Sequence, residues 1–193
     1  MKATWRVVAA LATLPLLMSV AHAHGLAHDE ANDETHEDVF VQVAQVRKAT
    51  ARFHVLDNAL GAGYAQFLGC VSEPGEGAMG VHFVNGEFIS DTVIDALRPE
   101  ALMFAPGPRG KMRLVGVEYI VFQDAWDAEN ASPPTLFGER FHLVTSPNRY
   151  GVPAFYELHA WVWQHNPHGM FEDWNPRVRC GGADDDRLVR KPR

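Results

Sequence analysis

The sequence has few basic residues, few cysteines and no compact catalytic motif. Its 193 residues contain 17 Lys and Arg against 24 Asp and Glu, with two cysteines. Apart from a C-terminal RLVRKPR, the basic residues are scattered. Nucleic acids and anionic membranes are bound by grouped Lys and Arg, so this pattern excludes both as partners. Neither an HExxH nor a CxxC motif occurs, so no short signature names a reaction.

Long apolar runs are also missing, apart from one at the N-terminus. A basic start and an apolar run from Val7 to Val20 precede the tripeptide AHA at 21–23, which is typical of a secretory signal. The run is too short to span a bilayer comfortably. Removing residues 1–23 leaves 15 basic and 24 acidic residues, a formal charge of −9. We therefore predict an acidic, secreted or periplasmic protein with no membrane span.

The two cysteines, Cys70 and Cys180, permit one pairing. In an exported protein an even cysteine count indicates a disulfide. This bond would join the end of the first helical region to the end of the domain. A thiolate that ligates a metal or acts as a nucleophile is the alternative.

Residues 24–38, HGLAHDEANDETHED, are too polar to bury a core. We predict a disordered, solvated leader. The alternative is metal capture by a His-rich tract. If cleavage follows Ala23, His24 offers a terminal amine and an imidazole as a chelate. If cleavage follows Ala21, His24 is the third residue, and the amine, two amides and its imidazole would surround Cu(II) or Ni(II) in a plane.

The remaining chain divides into a single globular domain over residues 39–180 and a flexible tail over residues 181–193. Apolar residues from Val39 to Leu56 recur at helical spacing, with Gly61 as a stop. Strands are predicted around 81–85, 102–104, 114–122, 137–144 and from Tyr156 onward. The fold class is α+β, with one long N-terminal helix packed on a curved, mostly antiparallel sheet. A partly closed β-barrel is the alternative.

The segment from Tyr156 to Asn175 concentrates chemistry. Alternate positions of its first half carry a carboxylate, imidazoles and indoles, at Glu157, His159, Trp161, Trp163 and His165. Alternation with aromatic residues predicts a strand, and the turn signal NPHG at 166–169 ends it. The shared face either packs a core or lines a pocket.

A second chemical signal is Glu118, in the middle of the apolar strand LVGVEYIVF. A buried carboxylate needs compensation. An ion pair with Arg98 or Arg140 would supply it, as would a histidine or a metal.

Three mid-strand residues, His82, Glu118 and His159, would converge if their strands are neighbours. Two imidazoles and a carboxylate suit Zn²⁺ or non-haem Fe(II). With His24 in the leader, these are the candidate metal ligands for Zn, Fe or Cu. Without a metal, Glu118 and His159 would form a catalytic acid/base pair.

Aromatic residues next to these positions would complete a pocket. Trp161, Trp163 and Tyr119, with Phe83, are the candidate walls for a small organic ligand or cofactor.

The motifs GCVSEPGEGAMGVHFVN, LVGVEY and LHAWVWQHNPHGMFEDWNP are similar to those of a family of uncharacterised secreted or periplasmic bacterial proteins. The resemblance covers roughly residues 65–180. It implies a single exported domain and carries no activity, cofactor or site residue.

The leading functional hypothesis is an exported metal-binding protein, extended to a metalloenzyme that acts on a small molecule in an aromatic-lined pocket. A metal-free protein that binds a small ligand is the first alternative. A structural or interaction domain is the second.

Overall fold

Six strands form a curled antiparallel sheet in the computed structural model, which describes the backbone of residues 27–181 and the side chains of residues 38–181. The predicted signal peptide, His24 and residues 182–193 of the predicted tail lie outside the described residues. The sheet order is β1 (Tyr64–Glu73), β2 (Gly77–Asn85), β3 (Ala101–Pro106), β4 (Met112–Phe122), β8 (Phe155–Ala160) and β7 (His142–Val144). The predicted α+β class with an antiparallel sheet is confirmed.

The helical segment ends earlier and is more broken than the periodicity predicts. Helix α1 spans Ala27–Thr50, a 3-10 turn covers Ala51–His54, and α2 spans Leu56–Gly61. Thr50 is buried, and its hydroxyl donates to the carbonyl of Val46 at 2.8 Å. Such back-bonding competes with the helical ladder and bends helices, which accounts for a helix that ends at Thr50 instead of continuing to Leu56.

The predicted apolar stripe packs against the sheet. Val43, Val46 and Phe53 are buried in one cluster with residues that share one face of the sheet. That cluster includes Val81, Phe83, Leu102, Phe104, Val117, Tyr119, Val121, Tyr156 and Leu158. Alternate strand residues point to opposite faces, so the intervening positions, His82, Glu118 and His159 among them, belong to the other face. This division leaves the chemistry on the side of the sheet opposite the helical segment.

Two strand predictions are corrected by the structure. The segment leading to Cys70 is the edge strand β1 and not the end of a helical region. The predicted strand at 137–144 is divided into a small hairpin of β5 (Thr135–Leu136) and β6 (Glu139–Arg140), followed by β7. Phe137 and Gly138 both have positive φ, 56° and 79°, the conformation of a tight hairpin turn.

The predicted disulfide is present. Cys70 and Cys180 are bonded, with their Cα atoms 5.6 Å apart, and the bond ties the edge strand β1 to the end of the described chain. A search of the described helices finds none with the length and apolar character needed to cross a membrane.

Candidate functional site

Strand register brings together the three residues singled out from the sequence. Strand β8 pairs with β4 so that His159 lies directly opposite Glu118. Strand β3 lies between β2 and β4. Its residue Ala101 pairs with Glu118 of β4, and its residue Met103 pairs with His82 of β2. One face of four adjacent strands therefore presents two imidazoles and a carboxylate.

The contacts within this group are short. His82 Nε2 lies 3.4 Å from Glu118 Oε2, and His159 Nε2 lies 3.7 Å from Glu118 Oε1. His82 belongs to β2 and Glu118 to β4, so the first contact crosses β3. The residue opposite Glu118 on β3 is Ala101, whose methyl group leaves space for the two longer side chains to meet above it.

All three side chains are removed from solvent. The exposed fraction is 7% for His82, 4% for Glu118 and 0% for His159. One potential ligand atom from each lies within 4.8 Å of the others. The arrangement is therefore a buried polar cluster held by an otherwise apolar sheet.

A second group of potential metal ligands shares His159 with the first. The sequence analysis did not predict it. Glu157, His159 and Asp173 also place ligand atoms within 4.8 Å of one another. Asp173 Oδ1 lies 3.3 Å from His159 Nδ1 and 3.4 Å from Nδ1 of the exposed His142. The alternation in YELHA carried a signal for Glu157, which shares a face with His159. Asp173 comes from an irregular loop, so no periodicity could have placed it.

His159 is incompletely satisfied. Within the described residues, neither of its ring nitrogens has an aligned hydrogen-bond partner, and the same holds for Asp173 Oδ1. Carboxylate oxygens lie 3.3 and 3.7 Å away but not in hydrogen-bond geometry. Buried polar atoms are nearly always paired, and an exception calls for an explanation such as an ion or a water.

Burial and mutual interactions shift the pKa values of the titratable groups in this cluster. Burial, followed by repulsion from His159, lowers the pKa of His82 to about 3, so that its imidazole is neutral. Burial raises the pKa of Glu118 well above its ordinary range, and the neighbouring Glu157 adds to the increase. Burial also raises the pKa of Glu157. Two carboxyl groups in contact disfavour their simultaneous ionisation.

His159 responds in the opposite sense to His82. Burial by itself would lower its pKa, but Glu118, Asp173 and Glu157 outweigh that effect and raise the pKa to about 9. Burial would raise the pKa of Asp173, but its interactions with His159 and His142 lower it instead. His159 is therefore the positive partner of a group of carboxylates.

Neither arginine considered as a partner of Glu118 fills that role. Arg98 pairs with Asp91 and Asp95 at 3.1 and 3.4 Å, and Arg140 is exposed on β6. The ion-pair partners of Glu118 are instead the histidines His82 and His159.

The structure does not bring the candidate aromatic walls to this cluster. Tyr119 and Phe83 lie in the core under the helical segment, and the Tyr119 hydroxyl donates to the carbonyl of Ala96 at 2.8 Å. Trp161 is 2% exposed and packs in a separate apolar cluster with Met103 and Val115.

Trp163 lies on the helical side because β8 ends early. The strand stops at Ala160, and a tight turn follows in which Val162 N donates to the Ala160 carbonyl at 2.8 Å. A turn of this kind breaks the two-residue period, so the predicted alternation fails beyond it. Trp163 Nε1 consequently donates to Thr50 Oγ1 at 3.1 Å.

Different aromatic residues line a cavity beside the cluster. Its volume is about 260 Å³, and His82, Glu118 and Glu157 are part of its wall. The aromatic wall is formed by Phe67, Phe122, Tyr150 and Phe155, with aliphatic residues between them. An apolar cavity with a few convergent polar groups is the usual form of a small-molecule site.

Comparison of the chain with protein-family models, with curated proteins and with solved structures finds no match. The function is therefore argued from the geometry of the site.

Proposed function

We propose that this is an exported metal-binding protein that holds Zn²⁺ or Fe(II) with His82, Glu118 and His159. The observation that carries the proposal is the state of His159, which is fully buried and whose ring nitrogens make no aligned hydrogen bond in the described part of the chain, although carboxylate oxygens lie 3.3 and 3.7 Å away. Buried polar atoms without an aligned hydrogen bond are unfavourable. A cation bound by Nε2 would remove part of that cost.

The spacing of the donor atoms supports the proposal. Metal–ligand distances of about 2.0–2.2 Å in a tetrahedral site separate neighbouring ligand atoms by roughly 3.3–3.6 Å. His82 Nε2 lies 3.4 Å from Glu118 Oε2, and His159 Nε2 lies 3.7 Å from the other oxygen, Oε1. One donor atom from each residue lies within 4.8 Å of the others, so the three donors would move closer together to hold one ion.

Asp173 supplies the support that metal-binding histidines usually have. A histidine ligand generally donates its second ring N–H to a carboxylate or carbonyl, which fixes the ring and its tautomer. Asp173 Oδ1 lies 3.3 Å from His159 Nδ1, on the side of the ring away from Glu118. This leaves Nε2 as the nitrogen that would bind the metal.

A metalloenzyme that acts on a small molecule is the extension of this proposal. A Zn²⁺ or Fe(II) ion would supply Lewis acidity and an activated water. His82 and Glu118 line the apolar cavity, so a molecule in the cavity would lie against the metal ligands. The disulfide supports an exported location.

The second candidate is a metal-free protein that binds a small ligand. The continuous contact from Asp173 through His159 to Glu118 favours it, because a carboxylate that orients an imidazole also serves acid/base and hydrogen-bonding roles. In that case the cavity would be occupied without any metal.

Metal content separates the two candidates. The full chain and the variants His82→Ala, His159→Ala and His54→Ala would be dialysed against Zn²⁺ or, anaerobically, Fe(II), and analysed for bound metal. His54 is exposed and packs on Trp163, so its substitution controls for the loss of one histidine. We expect His54→Ala to retain the metal of the unmodified chain and the other two to lose one equivalent. Equal metal content in all four folded proteins would contradict the proposal.

A further inference from the structure

The cavity beside the cluster has a composition that selects its ligand. Ten of its thirteen lining residues are apolar or aromatic, and the other three are His82, Glu118 and Glu157. Among these described lining residues there is no Lys or Arg. The cavity thus has an extensive apolar wall and one polar cluster.

Its size limits the ligand to a small molecule. Its volume of about 260 Å³ lies just below the roughly 300–1,000 Å³ of sites that hold drug-sized ligands. Sugars, peptides and nucleotides are larger and carry polar groups along their whole length. The apolar wall would leave those groups without partners.

The polar residues of the cavity restrict the charge of the ligand's polar group. Glu118 and Glu157 present carboxyl oxygens to the cavity, and the ionised form of either would repel a bound anion. A cation would compete with the metal of the proposed function for the same carboxylates. A neutral hydroxyl meets neither obstacle, because it donates a hydrogen bond to a carboxylate and offers its oxygen to a cation.

A half-exposed aromatic side chain lies at the edge of the cavity. Strand β1 loses its register with β2 between Gln66 and Cys70, and Phe67 and Leu68 in that interval line the cavity. Phe67 is 47% exposed. A large aromatic side chain left half in solvent at the edge of an apolar cavity provides a surface that an apolar ligand would cover.

We infer that the cavity binds a small, neutral, mainly apolar alcohol, with its hydroxyl at Glu118 and Glu157 and its hydrocarbon part along Ile120, Phe122 and Phe155. This inference deepens the proposed function, because the metal ligands His82 and Glu118 form part of the same cavity. Apolar burial supplies most of the binding, so the alcohol also binds the metal-free protein.

The test is titration calorimetry of the metal-free full chain with butan-1-ol, octan-1-ol and octanoate at pH 7. Each buried methylene should tighten binding roughly fourfold, and octan-1-ol has four more methylenes than butan-1-ol, so it should bind roughly 250-fold more tightly. Octan-1-ol should also bind at least tenfold more tightly than octanoate. Octanoate affinity equal to or above that of octan-1-ol, or no dependence on chain length, would overturn the inference.

Two variants locate the binding in the cavity. Val152→Phe enlarges a wall residue of the cavity, whereas Val93→Phe makes the same change at a half-exposed position outside it. We expect Val152→Phe to weaken octan-1-ol binding at least tenfold with metal content unchanged, and Val93→Phe to leave both unchanged. Equal octan-1-ol affinity in both variants would show that the alcohol does not bind in this cavity. If Val152→Phe does not fold, the three-ligand comparison on the unmodified chain still decides.

The failure of this inference differs from the failure of the proposed function. Octan-1-ol binding by a chain that takes up no metal would support the cavity ligand and contradict the metal. Metal uptake at His82 and His159 without alcohol selectivity would do the opposite.

Discussion

Glu118 and His159 lie directly opposite each other on adjacent antiparallel strands, with Glu118 Oε1 3.7 Å from His159 Nε2. Both side chains are buried, so neither can exchange its partner for water. They should behave energetically as one unit.

A double-mutant cycle tests that coupling. Groups in contact fail additivity, whereas distant groups add within about 0.5 kcal/mol. We expect the free energies of unfolding of Glu118→Gln, His159→Ala and the double variant to show a coupling well above this value. The pair Glu118→Gln and His54→Ala is the control, because His54 contacts Trp163 on the helical side of the sheet. Additive effects in both cycles would show that Glu118 and His159 are independent.

Asp173 should act on the metal through His159. Loss of such a supporting carboxylate typically weakens metal binding about 10- to 100-fold. We expect Asp173→Asn to raise the Zn²⁺ dissociation constant by that factor while the protein still binds one ion. The exposed Asp57 gives the matched control Asp57→Asn, which should bind as the unmodified chain does. Competition with a chromophoric chelator would measure all three, and equal constants would remove Asp173 from the site.

The sequence predicted the site residues that lie on regular strands better than those that lie in loops. The alternation in YELHA and the apolar surroundings of Glu118 placed His159 and Glu118 correctly on strands, and their pairing followed. The contact of His82 with Glu118 across β3 depends on the small Ala101, which no pattern in β2 or β4 reveals. Asp173 approaches through a loop, and Trp163 lies on the helical side because a turn after Ala160 ends the two-residue period.

The fold shows the same limit. Helical spacing identified the buried stripe of Val43, Val46 and Phe53. It could not show that Thr50 would bond back to Val46 and end α1. Strand β1 was missed because its first half is largely exposed and its pairing is interrupted, so it lacks a clear alternation.

Glycine at position 116 should be required for the close packing of β4. A Cβ atom there would lie 2.5 Å from Met103 Cε and 2.7 Å from the Ala160 carbonyl oxygen. Overpacking of this kind costs about 1–3 kcal/mol, so Gly116→Ala should lower the free energy of unfolding by that amount. At Gly86 nothing lies within 4 Å of an added Cβ, and Gly86→Ala should change stability little. Equal denaturant midpoints for the two variants would contradict the packing.

Glu100 should make stability depend on pH. It is 1% exposed, and its Oε2 accepts a hydrogen bond from Ile120 N at 3.0 Å. Burial raises its pKa from 4.5 to about 8, so the folded state binds the proton more tightly than the unfolded state. The stabilisation from this group is complete below about pH 4.5 and is lost as pH rises through 8.

The variant Glu100→Gln isolates this contribution, since its amide oxygen can still accept from Ile120 N. We expect the difference in unfolding free energy between Glu100→Gln and the unmodified chain to shift in favour of the variant between pH 5 and 9. The exposed Glu87 supplies the control Glu87→Gln. A pH-independent difference for Glu100→Gln would contradict an acid that is protonated in the folded state.

The disulfide should contribute strongly to stability. It closes a loop with a sequence separation of 110, and the chain-entropy model gives about 4–5 kcal/mol for such a closure before strain is subtracted. The paired substitution of Cys70 and Cys180 by Ser should therefore lower the denaturant midpoint substantially. Thiol titration of the unfolded, unreduced chain should detect no free thiol, whereas two thiols would contradict the bond.

The most direct test of the central claim is anomalous X-ray diffraction, at the zinc or iron absorption edge, from crystals of the metal-loaded protein. The account predicts one strong peak about 2.0–2.2 Å from His82 Nε2, His159 Nε2 and a Glu118 carboxylate oxygen. An electron-density map with no anomalous peak among these three residues, obtained from a metal-saturated crystal, would contradict it.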